Sequence, residues 1–259
     1  MYFPELVMSA AQSLCCDCRR FWEIDFLRGI AVVMMIVFHS LYDLNFFHVY
    51  KMGLYSGFSL LFVYSIGCIF ILLVGISLTL SYSKTRRVIT KERDVWIKFL
   101  IRGLKIFVLG VVVTIVTWLF LGRGFVVFGV LHCIGLSIIL AYPMLRYRYK
   151  NLVLGILFIF IGIFLKTMSF DFYFLLWLGF VPSSFYTVDY FPLLPWFGVV
   201  LLGIFLGNTL YSGYKRRFIL RDLSMFRLVR AVCFFGSHSL VIYFLHQPIL
   251  IALILLFIA

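Results

Sequence analysis

The stretch that decides the fold is Asp25-Phe-Leu-Arg28-Gly29-Ile-Ala-Val-Val-Met-Met-Ile-Val-Phe-His39-Ser-Leu-Tyr-Asp43. At about 100° per residue, the step from Arg28 to His39 returns to nearly the same helix face, roughly 16 Å further along the axis. Asp25 and Asp43 fall on that face too. Four ionisable groups are therefore predicted along one side of a membrane-length helix. At membrane depth such groups mark a proton relay, a substrate path or a catalytic centre.

The composition indicates a polytopic membrane protein. Hydrophobic residues make up 64% of the chain, charged residues only 13%, and the mean hydropathy is +1.11. A helix needs about 20 apolar residues to cross the hydrocarbon core. The sequence predicts an all-α bundle with seven such stretches, near 26–47, 57–82, 100–121, 125–145, 151–167, 192–211 and 235–258. An eighth apolar run, 172–180, is too short to span and is predicted to be re-entrant or interfacial.

Basic residues predict the orientation. With the amino terminus in the cytoplasm, all but three of the 23 Lys and Arg residues fall in inner loops, the bias that cytoplasmic loops show. The exceptions are Lys51, Arg123 and Lys166. We therefore expect an integral cell-membrane protein with its amino terminus inside and its carboxyl terminus outside. Orientation and attraction to anionic lipid headgroups explain the net charge of +13 without a nucleic acid.

Three histidines are predicted at a similar depth in different spans: His39, His132 and His246. Ser239 and Tyr243 share a helix face with His246. Three histidines can bind zinc, but the local spacing of a zinc motif is absent, and no metal is expected. For each histidine the alternative is a core residue that is hydrogen-bonded to a carbonyl. Cys15, Cys16 and Cys18 lack a fourth ligand and are interpreted as reduced or lipid-modified thiols.

Several motifs in order carry a family resemblance. They are Arg20-Phe-Trp-Glu-Ile-Asp25-Phe-Leu-Arg28-Gly29, Phe38-His39-Ser40-Leu41-Tyr42-Asp43-Leu44, Gly129-Val-Leu-His132-Cys-Ile-Gly135, Asp189-Tyr-Phe-Pro192-Leu-Leu-Pro195-Trp196-Phe-Gly198 and Ser237-His238-Ser239-Leu-Val-Ile-Tyr243-Phe-Leu-His246-Gln247-Pro248. Together they resemble the prokaryotic branch of the heparan-alpha-glucosaminide N-acetyltransferase catalytic-domain family, within the transmembrane acyltransferase superfamily. The expected organisation is a cytoplasmic segment, 1–19, followed by a transmembrane acyltransferase-like domain, 20–259.

The resemblance implies transfer of an acyl group, by expectation acetyl, from cytoplasmic acyl-coenzyme A to an acceptor at the outer face. A sugar or glycan hydroxyl or amine is the expected acceptor. The animal enzymes have a large lumenal region that this chain lacks, and His132 stands where their motif has Gln. The heparan substrate is therefore not carried over. Expected partners are membrane lipids, acyl-coenzyme A and an extracytoplasmic saccharide, and a homo-oligomer remains open.

The residues themselves fit this chemistry. Acyl transfer from a thioester needs a base or a nucleophile, and the imidazole of His39 can serve as either. Asp43, one turn away, is the candidate to orient that ring. The candidates to stabilise the oxyanion are Tyr243, His246 and His132.

Cationic side chains near the inner ends of two spans can bind the phosphates of the coenzyme: Arg28, Lys98, Arg102 and Lys105. Asp25 is placed at the same mouth, alternatively as the partner of Arg28, and the basic loops alternatively act only as orientation signals. Asp189 and Trp196 are predicted to meet the acceptor, although Asp189 can instead cap a turn.

A proton-coupled transporter that uses the buried His/Asp stripe is the competing hypothesis. No inverted repeat or pair of broken helices favours it. A non-catalytic membrane scaffold ranks third, because it does not require four ionisable residues on one stripe.

Overall fold

The computed structural model describes residues 21–49 and 57–258. In these ranges the regular structure is helical, apart from two isolated β-bridges. We label the helices α1 (Trp22–Phe46), α2 (Gly57–Val88), α3 (Glu92–Leu121), α4 (Val130–Ala141), α5 (Tyr149–Leu165), α6 (Leu193–Leu210), α7 (Arg227–Ser237) and α8 (Ser239–Ile258). The predicted all-α class is confirmed. Cys15, Cys16, Cys18 and Lys51 lie outside the described residues.

Within the described ranges, five helical segments are long and apolar enough to cross a membrane: Trp22–Phe46, Ser59–Val88, Glu92–Leu121, Leu193–Tyr214 and Ser239–Leu256. Two shorter apolar helices, Val130–Met144 and Tyr149–Leu165, complete the set. All seven coincide with the predicted stretches, so the polytopic bundle is confirmed. The apolar run at 172–180 holds only a 3-10 turn, Leu176–Leu178, and its re-entrant placement stays a prediction.

Two helices begin later than hydropathy alone predicts. The backbone before α4 is engaged with a distant loop, because Phe191 N–H donates to the Phe128 carbonyl at 2.9 Å and Val188 N–H donates to the Gly124 carbonyl at 3.0 Å. The last apolar stretch is interrupted at His238, which leaves the helical conformation with φ −106° and ψ 17°. Residues 235–237 therefore belong to α7, and the final span begins only at Ser239.

The chain divides into two compact units, Met1–Ile66 with Arg221–Ala259, and Gly67–Leu220. The first unit contains α1, α7 and α8 together with the first residues of α2. The second contains the rest of α2 and α3 to α6. The predicted boundary at residue 20 stays a prediction.

The first unit fixes the relative direction of the first and last spans. On α7, Val232 lies against Gly29, and Gly236 lies against Asp25, so α7 runs antiparallel to α1. On α8, His246 lies beside His39, and Gln247 contacts Asp43, so α8 runs parallel to α1.

Facing glycines bring the helices into close contact. A Cβ atom built on Gly75 would lie 2.2 Å from the Val200 carbonyl oxygen, and one on Gly203 would lie 2.2 Å from the Leu72 carbonyl oxygen. With this pair included, facing glycines occur at four helix pairs among the described residues: Gly29 and Gly236, Gly75 and Gly203, Gly103 and Gly135, and Gly155 and Gly198. In lipid, helices associate by packing rather than by the hydrophobic effect, and small residues permit the closest approach.

Candidate functional site

Two imidazole rings face each other in the first unit. The ring centroids of His39 on α1 and His246 on α8 are 4.9 Å apart, with the planes inclined by 60°. His246 is 9% exposed, and the Nδ1 atom of His39 is buried. The parallel course of α1 (Trp22–Phe46) and α8 (Ser239–Ile258) brings the two histidines to the same level.

The tautomer of His246 follows from its hydrogen bonds. Its Nδ1 lies 2.7 Å from the Tyr243 carbonyl oxygen and 3.2 Å from that of Ile242. A carbonyl oxygen only accepts, so Nδ1 carries the hydrogen in the neutral ring. The Nε2 atom then presents a lone pair, and it is buried without a hydrogen-bond partner among the described residues. Neutral His246 is thus equipped to take up a proton rather than to donate to an oxyanion.

Asp43 has a hydrogen-bond partner on α8 that the sequence did not predict. The side-chain amide nitrogen of Gln247 donates to Asp43 Oδ1 at 2.8 Å, and Asp43 is only 3% exposed. In the described ranges neither Asp43 Oδ2 nor His39 Nδ1 has a hydrogen-bond partner. The orienting role of Asp43 towards His39 therefore stays a prediction, and the observed contact ties α1 to α8.

Four buried polar atoms on these four residues have no hydrogen-bond partner among the described residues: His39 Nδ1, Asp43 Oδ2, His246 Nε2 and Gln247 Oε1. A buried polar atom without a partner costs about 1 to 3 kcal/mol, and native proteins contain few of them. Because these atoms lie together on facing turns of α1 and α8, we interpret the cluster as a candidate site for a polar group.

Tyr243 belongs to the same region. Its ring centroid is 5.7 Å from that of His246, and its carbonyl fixes the His246 tautomer. Its predicted role as an oxyanion donor stays a prediction.

His132 lies in the second unit, where its ring caps a helix. Gly129 N–H donates to His132 Nδ1 at 3.3 Å, at the start of α4. In the neutral ring the hydrogen is then on Nε2, which lies 3.5 Å from the Thr114 hydroxyl. Phe128 stacks on the ring at 5.4 Å between centroids. These contacts give His132 a structural function, while its predicted catalytic role stays untested.

The predicted acceptor residues also lie in the second unit. Asp189 Oδ2 accepts a hydrogen bond from Val130 N–H at 3.4 Å, so the carboxylate faces the amino-terminal end of α4, where negative charge is favoured. Burial nevertheless raises the pKa of the Asp189 carboxyl to about 6. Trp196 is 6% exposed, and its ring centroid lies 4.7 Å from that of Phe191. Their contact with an acceptor stays a prediction.

At the beginning of α1, the side chains of Arg28 and Asp25 form an ion pair. Arg28 Nη1 lies 3.0 Å from Asp25 Oδ1, one turn away on the same helix. This is the pairing that the sequence offers as the alternative to a phosphate contact.

A cavity of about 360 Å³ lies between the end of α2 and the beginning of α3. Lys98 Nζ donates to the Thr85 hydroxyl at 3.0 Å, and Arg102 donates to the Ser81 hydroxyl at 3.3 Å. The lining residues are Ser81, Lys84, Thr85, Val88, Ile89 and Lys98. Two ammonium groups and two hydroxyls, with no carboxylate in the lining, are suited to an anion such as phosphate. Lys105, further along α3, is exposed and is not part of the lining.

Sequence reasoning missed Gln247, Ser81, Lys84 and Thr85 as site residues. An amide inside an apolar span, directly after His246, is a signal for Gln247. Its partner is not visible in the sequence because Asp43 lies 204 positions earlier. In the part of the chain that the structure describes, no group of three His, Cys, Asp or Glu side chains is placed to hold a metal ion.

The apolar helices are those of an integral membrane protein, and its buried polar cluster is a candidate site. The chain matches the family model described as heparan-alpha-glucosaminide N-acetyltransferase, catalytic, over residues 20–248. It belongs to this family, and is therefore a member of a family of membrane acetyltransferases. No curated protein and no solved structure compared with the chain matches it significantly.

Proposed function

We propose that the protein transfers an acetyl group from cytoplasmic acetyl-coenzyme A to a hydroxyl or amine of a saccharide at the outer face of the membrane. The observation that carries the proposal is the facing pair His39 and His246, each with a buried ring nitrogen that has no hydrogen-bond partner among the described residues. Family membership supports a transferase over the transporter that the buried stripe alone would also allow.

The two imidazoles can supply the proton transfers that acyl transfer needs. The acceptor must lose a proton as it attacks the thioester carbonyl, the C–S bond must break, and the thiolate must receive a proton. If His39 is the nucleophile, Nε2 of His246 takes up the acceptor proton, because a backbone carbonyl holds Nδ1–H. His39, whose ring centroid is 4.9 Å from that of His246, acts either as this nucleophile or as the base of a direct transfer.

The donor is expected to place a phosphate in the cavity between α2 and α3. Replacing Lys84 and Lys98 together by glutamine should weaken binding of acetyl-coenzyme A by about 2 to 4 kcal/mol, given about 1.5 to 3 kcal/mol per charged hydrogen bond and incomplete additivity. Isothermal titration calorimetry of the purified protein measures this loss.

The matched control replaces Lys91 and Arg93 by glutamine. This variant removes the same charge from the same region, but neither residue lines the cavity. Equal affinities of the two double variants for acetyl-coenzyme A would contradict a phosphate site in the cavity.

The direction of transfer requires a cytoplasmic amino terminus, which the charge bias supports. In a background without the six native cysteines, an impermeant thiol reagent added to intact cells should label Arg123→Cys and spare Arg221→Cys. Both positions are exposed. The opposite labelling pattern would reverse the proposed direction.

A further inference from the structure

We propose that Gln247 is a positioning residue of the transfer site, acting through the carboxylate of Asp43. The inference rests on the proposed function. Its basis is the hydrogen bond of 2.8 Å from the Gln247 amide to Asp43 Oδ1, next to the pair His39 and His246 along both helices.

The chemistry of the two groups settles how they are oriented. An ionised carboxylate only accepts hydrogen bonds, so the nitrogen of the amide faces Asp43, and Oε1 of Gln247 is directed elsewhere. Of the two carboxylate oxygens of Asp43, one is occupied by this bond, and Oδ2 is buried without a partner in the described ranges. Gln247 thus determines which oxygen of Asp43 is held and which is available to the site.

The amide is neutral, and this matters for the charge of the site. A Lys or Arg in its place would neutralise Asp43, whereas Gln247 fixes the carboxylate without cancelling its charge. On α1 the titratable groups are His39, Tyr42 and Asp43 near this bond, and Glu23, Asp25 and Arg28 at the beginning of the helix. On α8 they are Tyr243 and His246. An anion held here stabilises the imidazolium that forms when a histidine takes up the acceptor proton.

The test compares Gln247→Leu with Gln247→Glu. Loss of the amide should lower kcat of Gln247→Leu by about 10-fold to 100-fold, the usual effect of misplacing a group near the reaction, and leave KM for acetyl-coenzyme A within about twofold. The Gln247→Glu variant should be equally impaired at pH 8, where two carboxylates would repel each other. As the pH falls towards 5, the introduced carboxyl group becomes protonated and can donate to Asp43 Oδ1.

Both variants share the titration of the histidines, so the ratio of their rates removes that contribution. What remains is the gain in rate that protonation of the introduced carboxyl group gives to Gln247→Glu. We expect the Gln247→Glu rate to rise at least fivefold relative to Gln247→Leu between pH 8 and pH 5. Thermal unfolding provides a readout without activity, because Gln247→Glu should gain stability relative to Gln247→Leu over the same interval. Both effects should vanish in an Asp43→Asn background. Leu245→Ala, on an exposed face of α8, is the control for a side-chain change on this helix away from Asp43.

Wild-type kcat in Gln247→Leu, or a rate ratio that does not change with pH, would overturn the positioning role alone. A wild-type protein that transfers no acetyl group would instead overturn the proposed function, and the positioning role with it. A purely structural tie predicts the change in stability without the change in the kcat ratio, and that result would also refute the proposal.

Discussion

Replacing His39 by glutamine should lower the rate of acetyl transfer by roughly 100-fold or more, the usual contribution of a positioned base. Glutamine keeps the approximate size and one hydrogen bond, but it cannot take up a proton at neutral pH or carry an acyl group. His39→Ala should be equally inactive. Initial rates with acetyl-coenzyme A, together with thermal unfolding of each variant, separate loss of chemistry from loss of fold.

Trapping distinguishes the two forms of His39 chemistry. If His39 is the nucleophile, mass spectrometry of rapidly quenched wild-type protein should find an acetyl group on this residue, and His246→Gln should prolong its lifetime. If His39 is a base, no acetylated protein should accumulate. Wild-type rates in His39→Gln would contradict both forms and make His246 the better candidate.

Replacing Gly29 by alanine should disrupt the packing of α1 on α7. The added Cβ would lie 2.0 Å from the carbonyl oxygen of Val232 and 2.8 Å from its carbonyl carbon. Backbone atoms cannot rotate away as a side chain can, so α7 must shift. We expect a loss of about 3 kcal/mol or more, at the upper end of the overpacking range, measured by thermal unfolding in detergent.

The control for this substitution is Val33→Ala, one turn further along α1 at a position that is 42% exposed. It should leave the melting temperature nearly unchanged. The same melting temperature in Gly29→Ala and the wild type would show that the close approach of α1 and α7 does not contribute to stability.

The spans could be predicted from the sequence because hydrocarbon thickness fixes how many apolar residues a crossing helix needs. Seven apolar helices lie where hydropathy places them. The contacts that join them could not be predicted in this way. Glycine pairs such as Gly75 and Gly203 are far apart in the chain, and hydropathy does not show which glycine faces which helix.

Single residues of the candidate site could be predicted from the sequence, but the hydrogen bonds between them could not. Residue depth along the spans places His39 and His246 at one level, and the structure brings their rings together. The amide partner of Asp43 and the tautomer of His246 depend on three-dimensional hydrogen bonds that no spacing reveals. His132 has the same predicted depth, but its local contacts at the start of α4 are those of a capping residue.

Acetyl transfer across the membrane is measured most directly with purified protein in oriented proteoliposomes. Labelled acetyl-coenzyme A is supplied on the face that carries Arg221, and glucosamine and glucose, which together offer an amine and hydroxyls, are supplied on the other. With the wild type we expect release of coenzyme A on the donor side and labelled saccharide on the opposite side, and with His39→Gln neither above background. Equal consumption of acetyl-coenzyme A by the wild type and His39→Gln, or none by either, would contradict the proposed transfer.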